Sequence, residues 1–201
     1  VFFETAKNNH GLPHNPFKAI VAPRPIGWIG SLDAEGRPNL APYSFFNAVC
    51  DTPPIVLFSS TAWKDSVANI EATGDFTCSL ATYDMKDAMN RSSGAFAHGV
   101  SEFEEAGLAA APSRLVKAPH VAGAKAVLEC RHLQTIHPST LEGGEAECWI
   151  VIGQVVGIHI ADEAIVDGRF DITRVRTIAR LGYKDYASVD SVFQMTRPGE
   201  R

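Results

Sequence analysis

The segment from Arg24 to Asn69 constrains the fold more than any other. It sets three β-type runs and a helix start one after another with almost no spare chain between them. RPIGWIGSL (Arg24 to Leu32) is preceded by Pro23 and carries Pro25, which bias their neighbours toward extended backbone, and its β-branched and aromatic residues suit a pleated surface. NLAPYSFFNAV (Asn39 to Val49) follows after DAEGRP, in which Gly36 supplies φ > 0 and Pro38 marks the return, so the spacing predicts a hairpin. PPIVLFSS (Pro53 to Ser60) is a short apolar run ending in two hydroxyls. TAWKDSVANIEATGDF then takes helical spacing and stops at Gly74. A hydroxyl-lined strand end that meets a helix start is a candidate phosphate site.

Beyond this segment, FTCSLAT (Phe76 to Thr82) reads as a strand. YDMKDAMNRSSG reads as a helix with Asp84 at its N-cap, Gly94 beyond its end, and Met85 and Met89 on one core-facing side. Ser101 and Glu104 have capping-box spacing. The Pro/Ala/Gly-rich connection AAAPSRLVKAPHVAGA is long enough to be expected over a site. Two further strands run from Lys125 to His137 and from Ala146 to Ala161, with Gly143-Gly144 as the turn between them. The second is too long to run straight, so Gly153 and Gly157 are expected to mark bulges or bends. DGRFD (Asp167 to Asp171) is a turn, and TRVRTIARLGYKDY gathers Arg174, Arg176 and Arg180. Strands outnumber helices without a βαβ rhythm, which predicts a largely antiparallel barrel.

At 201 residues and 45% hydrophobic content the chain suits one domain over 1–201 with one sizeable core. Eighteen basic residues, scattered among 23 acidic ones, argue against nucleic acid as the partner. The four cysteines show no C-x-x-C pair and are read as buried thiols, and the dispersed histidines give no metal site. No apolar run reaches membrane-span length, and VFFETAKNNHG lacks the layout of a signal peptide. The expectation is a cytoplasmic protein without a membrane partner, whose missing initiator Met suggests a trimmed N-terminus. Fingerprints for a Rossmann dinucleotide site, a P-loop, a zincin and a common serine hydrolase do not occur.

RPIGWIGSLDAEGRPNLAPYSFFNAVCDTPPIVLFSS, followed by WKDSVANIEATGDF, resembles the N-terminal half of the flavin reductase-like family, whose members bind FMN in a split β-barrel. HGVSEFEEAGL (His98 to Leu108) and ARLGYKDYA (Ala179 to Ala187) are similar to later stretches of that family. The resemblance implies a mainly β, Greek-key-like FMN-binding split barrel with flanking helices, and a homodimer with cofactor sites near the subunit interface. It implies NAD(P)H-dependent flavin reduction, with NADH or NADPH as donor and free flavin, an oxygenase partner or another redox partner as acceptor. A flavoredoxin-type electron-transfer protein without nicotinamide activity, and a flavin-binding module without turnover, stay open as alternatives.

A bound FMN needs donors for its phosphate, polar groups at the pyrimidine edge and apolar walls around the rest of the ring. Ser59, Ser60, Lys64, Asp65 and Ser66 are the phosphate candidates, although by spacing alone Asp65 or Ser66 could simply cap a helix. Tyr43, Ser44, Phe46 and Asn47 are candidates for the ring edge. In a regular strand Tyr43 and Phe45 face one way and Ser44 and Phe46 the other, so a bulge or backbone contact is needed for all to reach one ligand. Arg24 either pairs with the phosphate or makes a surface ion pair. Arg180, Tyr183 and Tyr186 lie in a stretch that the resemblance brings toward the cofactor or the partner subunit, and Trp28, Trp63 and Trp149 read as core.

Overall fold

DAEGRP turns as its residues dictate. Gly36 sits at φ +81°, and Asp33 accepts from the amides of Glu35 and Arg37 at 3.0 and 2.8 Å. In the computed structural model, which describes residues 1–199, this turn joins β1 (Gly27–Leu32) to β2 (Pro38–Tyr43) as an antiparallel hairpin. Five more strands complete the main sheet: β3 (Phe46–Asp51), β4 (Pro54–Ser60), β5 (Asp75–Leu80), β6 (Ala126–Ile136) and β7 (Trp149–Ile160). Their order is β2-β1-β5-β6-β7-β4-β3, antiparallel throughout.

The two edge strands, β2 and β3, are neighbours in sequence, joined only by Ser44 and Phe45. A flat sheet of seven strands would hold its edges about 29 Å apart at ~4.8 Å per strand. Two linking residues span at most about 11 Å. The sheet therefore curls until its edges meet, and the result is a mainly β split barrel with helices packed against it.

β1 is buried on both faces. Ile29 points into a cluster with Phe58, Phe76, Val151 and, from α1 (Asp65–Thr73), Val67 and Ile70. Trp28 points into a second cluster with Leu40, Met89, Phe103, Val121 and Ile178, and its Nε1 donates to Ser92 Oγ at 2.9 Å. β7 changes register against β6 at Ile152/Gly153 and at Val155/Gly157. The two glycines mark bulges as their positions suggested, and a Cβ on Gly153 would stand 2.3 Å from the Phe76 ring.

Several local expectations are corrected. The run from Arg24 to Leu32 is not one strand: Arg24–Pro25 pairs with Ile178–Arg180 in a separate three-stranded sheet. The run from Asn39 to Val49 breaks at Ser44–Phe45. Asp84 lies inside a 3₁₀ turn, Tyr83–Met85, that leads into α2 (Lys86–Arg91), so it is not an N-cap. Ser101 stands at the N-cap of Glu102–Glu105, yet its buried hydroxyl makes no hydrogen bond. Cys50 is exposed and Cys148 half-buried, with Cys78 and Cys130 buried, and all four are free thiols. Trp63 is half exposed at the barrel surface, edge-on to Trp149. Among the described residues no helix is long and apolar enough to cross a membrane.

The long connection does not cover the cleft described below. It folds back on itself, Ala110–Ala111 against His120–Val121, and lies over the outside of β5 and β6. The fully buried Glu129 holds it there, accepting from the amides of Arg114, Leu115 and Val116 at 2.8, 2.6 and 3.2 Å and pairing with His159. Burial opposes the charged form of Glu129, but the Arg114 and Leu115 N–H groups and the His159 ring overcome it and hold the carboxyl at about 2. Because that lies below the ordinary 4.5, the clamp contributes its full stability above pH 4.5 and loses it as pH falls toward 2. Glu129→Gln should therefore flatten the acid limb. Thermal melts between neutral pH and pH 3 are expected to show a smaller loss of stability in the variant than in the native chain.

Candidate functional site

The bend that closes the barrel also opens a cleft of about 520 Å³, within the range of small-ligand sites, ~300–1,000 Å³. One wall is the bend itself. Because regular strand geometry stops at Ser44, the alternation that would have sent Tyr43 and Ser44 to opposite faces no longer applies, and Tyr43, Ser44 and Phe45 all line the cleft. Phe45 O accepts from Ser59 N at 2.8 Å, which ties the bend to the end of β4. A second wall is the start of α1, with Lys64, Asp65 and Ser66. A third is the turn after α2, from Ser92 to Phe96, followed by His98 and Glu102.

At its start α1 has an uncommon feature. Lys64 is the N-cap, extended at φ −99° and ψ 170°, and no side chain caps the helix. Asp65 and Ser66 therefore do not play the capping role that spacing allowed them. Ser66 is buried and accepts from Asn39 Nδ2 at 3.0 Å, and Asn39 and Asn69 both reach Ser31 Oγ, at 3.4 and 3.2 Å. This buried amide-hydroxyl network fixes the helix start to β1 and β2. Val67 N–H and Ala68 N–H donate to Lys64 O at 2.9 and 3.0 Å, so it is at Asp65 and Ser66, both of which line the cleft, that the helix start lacks a side-chain cap and its dipole favours an anion.

Lys18 and Lys64 bring positive charge to the lining; Asp65 and Glu102 bring negative. Asp65 Oδ1 lies 3.1 Å from His98 Nδ1. Burial pushes the Glu102 carboxyl up, helped by the nearby Asp65 charge and opposed by the N–H of Leu40, which donates to it at 3.0 Å. Burial likewise pushes the Tyr43 hydroxyl up. It lies beside the Ser60 and Ser66 hydroxyls but makes no hydrogen bond of good geometry. With charges nearly balanced, an anion here depends on hydrogen-bond donors, which the helix start and the hydroxyls of Ser44, Ser59 and Thr61 can supply.

Six of the ten residues singled out from the sequence line this cleft: Tyr43, Ser44, Ser59, Lys64, Asp65 and Ser66. Ser60 does not, since strand alternation turns it inward, where its hydroxyl donates to Ala62 O at 2.7 Å. Phe46 packs against Gly27 and lines a separate apolar cavity. Asn47 is exposed on the edge strand, its Oδ1 accepting from Ala48 N at 2.9 Å. Arg24 is buried outside the cleft, neither a surface ion pair nor a lining residue. Its guanidinium donates to the carbonyls of Lys18, Val21 and Leu181 and lies 5.7 Å from the Phe45 ring. Burial, and then the nearby Arg180 charge, lower its pKa. Arg180, Tyr183 and Tyr186 lie outside this cleft as well.

Sequence reasoning did not single out Lys18, Asn39, the turn from Ser92 to Phe96, His98 or Glu102. Only the last two carried a signal, as the ends of the HGVSE stretch that also resembles the family. Within the turn, a Cβ on Gly94 would stand 2.8 Å from the Phe96 ring, so a larger residue would disturb the wall. Among the described residues no cluster of His, Cys, Asp or Glu is arranged to hold a metal ion.

Ser66 is thus a structural member of the wall as well as a candidate ligand contact. Ser66→Ala leaves Asn39 with one fewer partner and should lower the stability of the ligand-free chain by about 1–2 kcal/mol. Urea unfolding of the two proteins tests this. Equal midpoints would mean that the network does not hold the helix start.

Residues 21–175 match the family model described as a flavin reductase like domain. An uncharacterised protein of Deinococcus radiodurans is 34% identical over 192 residues, covering 89% of this chain and 82% of that protein. Among solved structures, nitrilotriacetate monooxygenase component B from Bacillus cereus superposes with a TM-score of 0.85 at 29% identity, over 96% of this chain and 95% of that one. The 2-nitrobenzoate 2-nitroreductase NbaA from Pseudomonas fluorescens superposes with a TM-score of 0.86 over 99% and 97% of the two chains; at 24% identity it speaks for the fold alone. The chain belongs to the flavin reductase-like family.

Proposed function

We propose that this flavin reductase-like protein holds FMN in the cleft beside α1, reduces it with NADH or NADPH, and passes the electrons to free flavin, an oxygenase partner or another acceptor. The observation that carries this reading is the start of α1, which has no side-chain cap and whose Lys64, Asp65 and Ser66 line the cleft together with Ser59 and Thr61. FMN, when bound, supplies the hydride-accepting ring. The residues supply position. The α1 amides, Lys64 and the Ser59 and Thr61 hydroxyls would hold the phosphate, while the backbone and hydroxyl of the Tyr43–Phe45 bend would meet the polar edge of the ring. Ala41, Pro42, Phe45 and Phe96 would keep water from its faces. Glu102, half-buried in the cleft wall, keeps a proton to higher pH than an ordinary glutamate. An oxygenase partner is supported by the likeness to a monooxygenase component B. Free thiols suit a cytoplasmic setting.

The same reading includes a homodimer. Edge strand β3 leaves its ladder unpaired on one side and exposes Val49, while Ile158 and Ile160 on β7 are also exposed. An open edge beside exposed aliphatics favours burial against a second copy. Light scattering should return twice the chain mass, and a flavin-loaded monomer at micromolar concentration would refute the dimer.

Anaerobic addition of NADH, and separately of NADPH, to the flavin-loaded protein should bleach the flavin spectrum. A spectrum that dithionite bleaches but neither nicotinamide does would overturn the reductase reading in favour of electron transfer. The phosphate end has its own test. Lys64 is exposed, so Lys64→Ala should weaken FMN by about three- to tenfold, the lower part of the range for a charge-assisted bond. Riboflavin, which has no phosphate, should be affected far less. Equal losses for the two ligands would move the phosphate elsewhere.

A further inference from the structure

A second cleft, of about 320 Å³, shares no lining residue with the first. It lies between α2, the Tyr83–Met85 turn and the pair of short strands Ile178–Arg180 and Tyr186–Ser188. Its apolar lining includes the buried Met89 and Ile178, and Tyr83 and Tyr186 complete it. Cations gather on those two rings. Lys86 Nζ lies 4.4 Å from the Tyr83 ring centroid and the Arg176 guanidinium 4.0 Å, while the Arg180 guanidinium lies 4.4 Å from Tyr186.

Not all of this charge is free. Asp87 faces Lys86 at 3.4 Å, and Asp190 accepts from Arg176 at 2.9 Å, with Asp84 also near Arg176. Arg180, by contrast, donates to a backbone carbonyl, that of Tyr183, and has no ion pair among the described residues. Lys184, which lines the cleft, has no ion pair among the described residues either. Within the lining Lys86 and Asp87 offset one another and Lys184 is left as the uncompensated cation, while Arg180, not itself a lining residue, lies on the ring of Tyr186, which is.

We propose that this second cleft binds an aryl carboxylate. The Met89 thioether and Ile178 suit a flat apolar body, and Tyr83 and Tyr186 add aromatic edges. Lys184 and Arg180 suit a carboxylate carried at its rim. A small inorganic anion would leave the apolar floor unused, and a neutral aromatic would leave the cations unanswered. This inference stands independently of the flavin reading, because the two clefts have no residue in common.

Benzoate titrated calorimetrically into the full-length chain is the test, with benzyl alcohol and cyclohexanecarboxylate as comparison probes. Benzoate should bind at millimolar concentration or below, with the same affinity in flavin-free and FMN-saturated protein, and both comparison probes should bind more weakly. Lys184→Ala, at an exposed position, should weaken benzoate by about fivefold or more, and Tyr186→Leu should weaken it while narrowing its advantage over cyclohexanecarboxylate. No binding of benzoate at millimolar concentration, unchanged affinity in both variants, or displacement by FMN would each overturn the proposal.

Discussion

The two-residue link between β2 and β3 is the constraint on which the rest of the structure depends. Ser44 and Phe45 must join strands that lie at opposite edges of a seven-stranded sheet, which is possible only if the sheet closes on itself. Closure determines the barrel interior, where Phe58, Phe76 and Val151 from non-adjacent parts of the chain meet. It also ends the regular pleat at Tyr43, so three consecutive residues turn toward one cleft. The same local break therefore shapes both the core and the site. Its anchor is the bond from Ser59 N to Phe45 O, by which the end of β4 supports the bend.

A second dependence runs through buried polar groups. Ser31, Asn39, Ser66 and Asn69 lie in the interior, each satisfied by another member of the set, and together they set α1 against β1 and β2. Against this satisfied background two omissions stand out beside the cleft. The helix has no side-chain cap, and the Tyr43 hydroxyl is buried without a partner. Each costs about 1–2 kcal/mol.

The sequence was misleading where a polar residue had two plausible fates. A long Pro/Ala/Gly connection with no apolar periodicity looked like cover for a site, but the single buried carboxylate of Glu129 pins it to the other side of the sheet. That placement depends on side chains of β6 and, through Asp75, Thr77 and Ser79, of β5, and could not be read from the loop. Arg24, held extended by prolines, could be read as an anion ligand or a surface ion pair, yet three backbone carbonyls, two of them from the segment just before it and one from Leu181, take its terminal N–H groups, while its Nε has no partner. Ser59 and Ser60 looked equivalent until strand alternation sent one to the cleft and the other to the interior.

What the amino-acid sequence determined by itself was everything carried by local geometry. The hairpin at DAEGRP and the stop at Gly74 follow from glycine's freedom of backbone, which no tertiary contact needs to supply; the irregularities at Gly153 and Gly157 were legible as glycines in an over-long strand, although it is the Phe76 ring that leaves no room for a Cβ at Gly153. The mainly β architecture and the helix start beside a hydroxyl-bearing strand end were legible for the same reason. Only the tertiary structure decided which side chains share a surface. Lys18, Ser92 to Phe96, His98 and Glu102 reach the cleft from segments far apart in the chain. Their convergence depends on barrel closure and on the packing of Trp28 against Ser92, and contacts over such separations leave no periodicity in the sequence from which to read them.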